Sequence, residues 1–345
     1  MTDNLFVDDW KNSRKERLEG LTCAKLLPLL LANDRAALAS AITLIENNSI
    51  DFRTEANALV TAILPQTGKA WRIGITGVPG VGKSTFIEEF GKVLLEKGHR
   101  VAVLAIDPSS VLAGGSILGD KTRMNYLAVH ENVFIRPTPT GEKLGGVARH
   151  TRETILLCEA AGYDVIIVET VGVGQSEIAV HSMVDFFLLL MLAGAGDELQ
   201  GIKRGIIEMA DAIVITKADG ENKIKAEEAK RTYQNALHLF APSVDGWIPK
   251  VQTCSSLEGI DIDEVYELTR NYFDVIKTNG FQDIQRRDQD ITLFNDTISF
   301  LVQQAFFGNQ TWLAVAKTFQ EKVKQGSMSP FHAAEEVYSK FKDEK

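Results

Sequence analysis

The stretch Gly77-Val78-Pro79-Gly80-Val81-Gly82-Lys83-Ser84 constrains this chain more than any other. It fits G-x-x-x-x-G-K-[ST], the pattern of a phosphate-binding loop. Trp71-Arg72-Ile73-Gly74-Ile75-Thr76 before it reads as a short buried strand, and Thr85-Phe86-Ile87-Glu88-Glu89-Phe90 after it opens a helical pattern. The glycines let the backbone curl so that its N–H groups converge on an anion. The helix start adds the positive end of its dipole. Lys83 would reach the outer phosphates and the Ser84 hydroxyl would bind Mg²⁺. Candidate nucleotide contacts therefore run from Gly77 through Val78, Pro79, Gly80, Val81, Gly82, Lys83 and Ser84 to Thr85.

A loop that joins a strand end to a helix start belongs in an α/β sheet, and the rest of the middle of the chain agrees. From about 66 to 279, apolar runs alternate with helical patterns: Ile73–Thr76, Val101–Ile106, Val133–Ile135, Val165–Val168, Phe186–Leu192, Ala212–Ile215 and Val251–Thr253. Continuous apolar runs such as Val101–Ile106 suit a parallel sheet covered on both faces. The expectation is a doubly wound, mostly parallel sheet, with ligands at the carboxyl ends of its strands. Residues 1–65 read as a helical segment: Asp34 is an N-cap, followed by Leu38, Ala41, Ile42 and Ile45 at helical spacing. Residues 280–345 read as a second helical segment. There Ile291, Phe294, Ile298, Leu301, Val302 and Ala305 make one apolar face, widened by Leu293, Phe300 and Phe307. A helix apolar over so much of its circumference buries more than one side, which favours an oligomer. Ser329-Pro330 marks the start of a last helix.

Composition closes off several function classes. A formal charge of −9 argues against a nucleic-acid or anionic-membrane surface. The N-terminus lacks the basic start and apolar core of a secretory signal. The longest apolar run, Phe186–Ala195, is too short to span a bilayer. The three cysteines, Cys23, Cys158 and Cys254, are widely spaced and read as reduced, mostly buried thiols of a cytoplasmic protein rather than metal ligands.

The remaining motifs sit at strand ends. Asp107, in Asp107-Pro108-Ser109-Ser110, could bind Mg²⁺ through water or orient the attacking water. Gly114 to Met124 contains Asp120 and Arg123 and reads as a switch segment ordered by the γ-phosphate. Asp164 to Gly172 reads as the acidic Walker B strand, with Glu169 on the Mg²⁺ hydration shell. Val173-Gly174-Gln175-Ser176-Glu177 extends it into a second switch. Thr216-Lys217-Ala218-Asp219 matches N-K-x-D, the guanine-reading element, with Thr for Asn. Asp219 can accept two hydrogen bonds from guanine, a donor pair that adenine lacks. Lys217 can cover the base face, and the shorter Thr216 can lose a contact to the base or to the loop. Cys254-Ser255-Ser256-Leu257 is similar to the S-A-[KL] element, making Ser255, Ser256 and Leu257 candidate base contacts. Gln175, Asp107 and Asp120 are all candidates for positioning the water.

With these residues in place the chain resembles the methylmalonyl-CoA mutase-associated GTPases of the MeaB/ArgK type, members of the SIMIBI class of P-loop G proteins. The resemblance rests on Gly77–Thr85, Ala105–Ser110, Gly119–Met124, Leu144–Ala148, Glu169–Glu177, Ala193–Lys203 and Thr216–Asp219, and covers the whole middle domain. Arg286-Arg287 stands where the family has a similar pair. The family implies GTP and GDP as ligands, Mg²⁺ as cofactor and a homodimer formed by C-terminal helices. It also implies a partnership with an adenosylcobalamin-dependent acyl-CoA mutase, whose cofactor loading is gated and which is protected from inactivation. By position, Lys83, Ser84, Asp107, Asp120 and Glu169 fall on the nucleotide and metal residues. Asp197, Gln200 and Lys203 fall in a third switch that relays partner binding, alongside Gln175. With no D-x-H-x-x-G motif, cobalamin is expected to belong to the partner.

Two other readings compete. A metallochaperone GTPase for another metalloenzyme, of the nickel type, calls for a Cys/His site near the switches, and the isolated cysteines argue against it. A small-molecule kinase using the same loop is disfavoured by Thr216–Asp219 and by the absence of a second substrate motif.

Overall fold

The computed structural model describes residues 20–47, 50–107, 124–139, 144–170, 176–193, 204–237 and 244–343. They fall into two compact units, 1–289 and 290–345. The first unit opens with three helices, α1 (Cys23–Leu31), α2 (Arg35–Ile45) and α3 (Ile50–Ile63). The Asp34 carboxylate accepts a hydrogen bond from the Ala37 N–H at 2.7 Å, which fixes where α2 begins. Leu38, Ala41 and Ile42, spaced to share one face of α2, are completely buried.

The sheet is assembled from β1 (Trp71–Gly77), β2 (Val101–Asp107), β3 (Val133–Pro139), β4 (Val165–Thr170), β5 (Phe186–Leu192), β6 (Ala212–Thr216) and β7 (Lys250–Thr253). Their spatial order is β3-β2-β4-β1-β5-β6-β7, and every pairing is parallel. Between them run α4 (Lys83–Glu96), α5 (Asn125–Val129), α6 (Leu144–Ala160), α7 (Ser176–His181), α8 (Arg204–Glu208) and α9 (Lys223–Leu237); α10 (Ile262–Thr278) follows β7. All seven strands anticipated from the apolar runs are present. β3 extends four residues past its apolar start and takes in Pro137 and Pro139. It tolerates them because, among the described residues, it pairs with β2 alone and lies at the edge of the sheet.

β1 shows why the sheet is covered on both faces. Side chains alternate along a strand. Trp71 stacks on Phe273 of α10 with ring centroids 4.8 Å apart and planes 2° from parallel. Arg72 points the other way and pairs with Glu159 of α6 at 2.8 Å. Gly74 lies on the Arg72 side, where a Cβ would come within 2.9 Å of Val180 of α7 and of Phe187. A larger residue there would push α7 off the strand. On the opposite face Phe86 and Phe90 of α4 are fully buried, each contributing about 1.5–3 kcal/mol by leaving water. The N-terminal helices α1–α3 lie against α6.

At the amino end of the sheet Asp185 is held by Arg286, the first of the adjacent arginines seen in the sequence. Arg286 belongs to α11 (Phe281–Phe307). Its guanidinium donates to both Asp185 oxygens, at 2.8 and 2.6 Å, and to the Ala70 carbonyl at 2.6 Å. Removing either partner of such a buried pair leaves the other charge uncompensated, at a cost of about 3–5 kcal/mol.

The second unit contains the remainder of α11 with α12 (Gln310–Lys324) and α13 (Pro330–Asp343). Its small core is Phe319, Ala333 and Val337, with Phe306, Val315 and Met328 against it. Ile291, Phe294, Ile298 and Val302 are exposed. Val302, Phe306, Phe319, Val337 and Phe341 help line an apolar cavity of about 650 Å³.

The cysteines are unpaired, Cys158 and Cys254 buried and Cys23 partly so; burial pushes the Cys254 thiol up to about 12. No helix among the described residues is long and apolar enough to cross a membrane.

His181, the last residue of α7, packs edge-on against Phe187 at 5.5 Å, and burial lowers its pKa. The native state therefore favours the neutral ring more than the unfolded chain does. Its contribution to stability is present above the ordinary histidine pKa of about 6.5 and is lost as pH falls through the lowered native value. Urea midpoints measured across that range should fall less steeply for His181→Gln than for the natural protein; equal slopes would show that His181 is not responsible.

Candidate functional site

β1 ends at Gly77 and α4 begins at Lys83, so the five residues between them form the loop. Gly77 lies beside Leu190 of β5 in the parallel ladder, and a Cβ there would meet the Leu190 carbonyl at 2.6 Å. Gly80 and Gly82 have φ of 77° and 94°, the left-handed region that side chains disfavour. These turns swing the chain from the sheet into α4 and aim the helix start into the space above β1. Lys83 donates to the Gly77 carbonyl at 2.9 Å, closing the loop on itself. Burial lowers its pKa, while the nearby carboxylates of Glu169 and Glu177 act in the opposite direction.

Glu169 reaches the loop because of register. Ile75 of β1 and Ala105 of β2 both lie beside Glu169 of β4, so its side chain emerges where α4 starts. It is buried, 4% exposed, and its Oε1 lies 3.5 Å from the Ser84 hydroxyl. Below it, Thr170 donates to Thr76 at 2.9 Å and fastens the two strand ends. Hydroxyl and carboxylate oxygens form a hard donor set, which fits Mg²⁺ completed by phosphate and water oxygens.

The base-reading side is tied to the loop from behind. The Thr216 hydroxyl donates to the Val81 carbonyl at 2.8 Å and lies 3.3 Å from the Met191 carbonyl. The contact to the loop that a shorter side chain stood to lose is thus made by the hydroxyl. Lys217 adopts φ 57° and donates to the Gly80 carbonyl at 2.9 Å. Two consecutive loop carbonyls are therefore engaged by two consecutive residues at the end of β6. Asp219 accepts from the Ser255 hydroxyl at 2.5 Å. Ser255 is itself fixed by two backbone hydrogen bonds to Ile260, each 3.0 Å. Its hydroxyl and N–H are spent within the protein, so it orients Asp219. Leu257 is 85% exposed.

The structure thus brings together Lys83, Ser84 and Glu169, and joins them through Thr216 and Lys217 to Asp219 and Ser255. Asp120, Gln175, Asp197, Gln200 and Lys203 lie outside the described residues. Asp107 closes β2, and its side chain is likewise outside them. Sequence reasoning gave two carboxylates no role of their own, although it placed Glu177 in the second switch. Glu177, in the first turn of α7, is 1% exposed and near Lys83. Glu88 on α4 accepts from the Tyr126 N–H at 2.7 Å and the Leu127 N–H at 3.4 Å, capping α5. Gly91 gives α5 its place, since a Cβ there would lie 2.6 Å from Leu127. A Glu inside a helical pattern ordinarily reads as solvent-facing, so nothing in the sequence distinguished Glu88.

A family model described as methylmalonyl Co-A mutase-associated GTPase MeaB matches residues 38–311. A Caulobacter vibrioides protein is 51% identical over 312 residues, covering 90% of this chain and 95% of that protein. GTPase ArgK of Escherichia coli is 45% identical over 309 residues, covering 90% and 93%. Among solved structures, that of an LAO/AO transport system kinase matches with a TM-score of 0.74 at 38% identity, over 93% of this chain and 97% of the other.

Thr216→Val keeps the shape and removes the hydroxyl, leaving the Val81 carbonyl without its donor at a cost of about 1–3 kcal/mol. Titration with labelled GTP and GDP should show both bound about tenfold more weakly. A change in base preference without loss of affinity would show instead that Thr216 faces the base.

Proposed function

The chain belongs to the family of methylmalonyl-CoA mutase-associated GTPases typified by MeaB, and from that premise we propose that it is the GTP-hydrolysing chaperone of an adenosylcobalamin-dependent acyl-CoA mutase, methylmalonyl-CoA mutase in the first instance, gating cofactor loading and protecting the mutase from inactivation. The observation that carries the nucleotide half of this reading is the joining of Lys83, Ser84 and Glu169 to Asp219 through two loop carbonyls.

In this reading the loop N–H groups hold the phosphates, and Lys83 leaves the Gly77 carbonyl to reach them. Ser84 and Glu169, with Asp107 and Asp120, hold Mg²⁺, which when bound neutralises phosphate charge. Asp219 selects guanine, with Ser256 and Leu257 beside it. Asp107, Asp120 or Gln175 orients the attacking water. Such a site works by positioning and charge neutralisation, so its rate depends on how completely its switches are ordered. The proposed role of the mutase is to order them through Asp197, Gln200 and Lys203. The exposed residues Ile291, Phe294, Ile298 and Val302, with the apolar cavity of the second unit, support burial against a second copy of this chain.

The deciding assay is GTP turnover by the purified protein, alone and with an adenosylcobalamin-dependent acyl-CoA mutase, with ATP as control. Slow GTP turnover that rises with the mutase is expected, and Lys203→Ala should keep the basal rate but lose the rise. GTP turnover indifferent to every such mutase would move the client to another metalloenzyme. Separately, Asp219→Asn should shift preference from guanine toward xanthine nucleotides; unchanged GTP affinity would remove Asp219 from base recognition.

A further inference from the structure

Arg152 sits where three helices of the first unit meet, away from the loop and base residues. Only 8% of it is exposed. Its guanidinium donates to the Gln289 carbonyl of α11 at 2.6 Å and to Ser182, just past α7, at the carbonyl (2.5 Å) and the hydroxyl (3.1 Å). Ser182 opens the short connection from α7 to β5. The other end of that connection is anchored: Asp185 is bound through its N–H to the Arg72 carbonyl at 2.9 Å and through its carboxylate to Arg286. Gln289 also donates to the Val184 carbonyl at 2.8 Å. Gln282, Arg286 and Gln289 recur at helical spacing, so one polar stripe of α11 grips residues 182–185.

The opposite end of α7 lies toward Lys83 of the loop. Glu177 is buried near Lys83, in a site where phosphates bring further negative charge. A buried carboxylate and an incoming polyanion repel strongly in a low-dielectric site. Lys83, which attracts the carboxylate, must also turn away from the Gly77 carbonyl toward the phosphates. GTP and GDP differ in charge there, so they place different loads on the first turn of α7. The helix is only six residues long, its far end is tied to α11 by Arg152, and Asp185 gives it a fixed pivot.

We propose that Arg152 is a positioning residue that relays the state of the nucleotide site from α7 to the first turns of α11. This goes beyond the mutase reading, since it requires only that GTP and GDP bind. It also gives buried Arg152 and Asp185, with half-buried Gln289, a joint purpose that the GTP-hydrolysing machinery does not supply.

Hydrogen exchange of the full chain with GDP, and with a non-hydrolysable GTP analogue and Mg²⁺, tests the relay. Amides of residues 281–289 should exchange at rates differing about fivefold or more between the two nucleotides, the usual size of a coupling between sites. In Arg152→Ala that difference should vanish while peptides of residues 77–86 remain protected by nucleotide. Arg152→Lys, which keeps a cation but cannot span both carbonyls, should behave alike and decides the matter should Arg152→Ala not fold. A purely structural role would raise exchange equally with both nucleotides and leave the difference intact. The proposal is overturned by that result, or by equal exchange of residues 281–289 with the two nucleotides in the natural protein.

Discussion

The parallel ladder between β1 and β4 is the constraint on which the site depends. A fixed register sets Ile75 beside Glu169, and the carboxylate then emerges where β1 gives way to the loop. Parallel strands cannot be joined by a tight turn, so α4, α5 and α6 are interposed before the chain returns as β4. A slip of one residue would turn Glu169 to the opposite face and exchange it for a buried valine or threonine. The hydroxyl pair Thr76 and Thr170 sits one residue beyond that pairing and helps to exclude the slip.

The same economy governs the base side. In an isolated glycine-rich loop the chain would sample many conformations, few of which converge on a phosphate. Here Gly80 and Val81 turn their carbonyls back to Lys217 and Thr216. With the carbonyls held behind, the loop is kept in one shape before any ligand arrives, so less ordering is left for binding to accomplish. The arrangement also links phosphate and base recognition mechanically, since both depend on the carboxyl end of β6.

Much of this was legible in the residues, and the limits have identifiable physical causes. All seven strands read as apolar runs because a sheet covered on both faces demands them, and Asp34 read as a cap because its side chain bonds locally. β3 was underestimated because prolines conventionally end a strand, and only the spatial order shows that, among the described residues, this one pairs on a single side. Thr216 was read against a pattern in which Asn touches the nucleotide, whereas its contact is to a carbonyl that lies 135 residues away in sequence. Arg152, Glu88, Glu159 and Asp185 fall in otherwise ordinary polar positions. Whether such a residue faces solvent or a buried partner is decided by long-range packing, which periodicity cannot express. Arg286 was singled out by resemblance alone, and the structure supplies its reason, the buried carboxylate of Asp185.

The prolines of β3 have a consequence beyond the geometry of the site. Among the described residues the seven-stranded sheet ends in two margins, each able in principle to recruit a strand from another molecule. At one margin Pro137 and Pro139 have no N–H to offer an approaching chain. At the other, β7 is only four residues long and begins with the exposed Lys250, whose charge would have to be desolvated. Both margins among the described residues thus discourage a further strand, and the exposed apolar residues of the last helices are kept apart from any sheet edge that would invite aggregation.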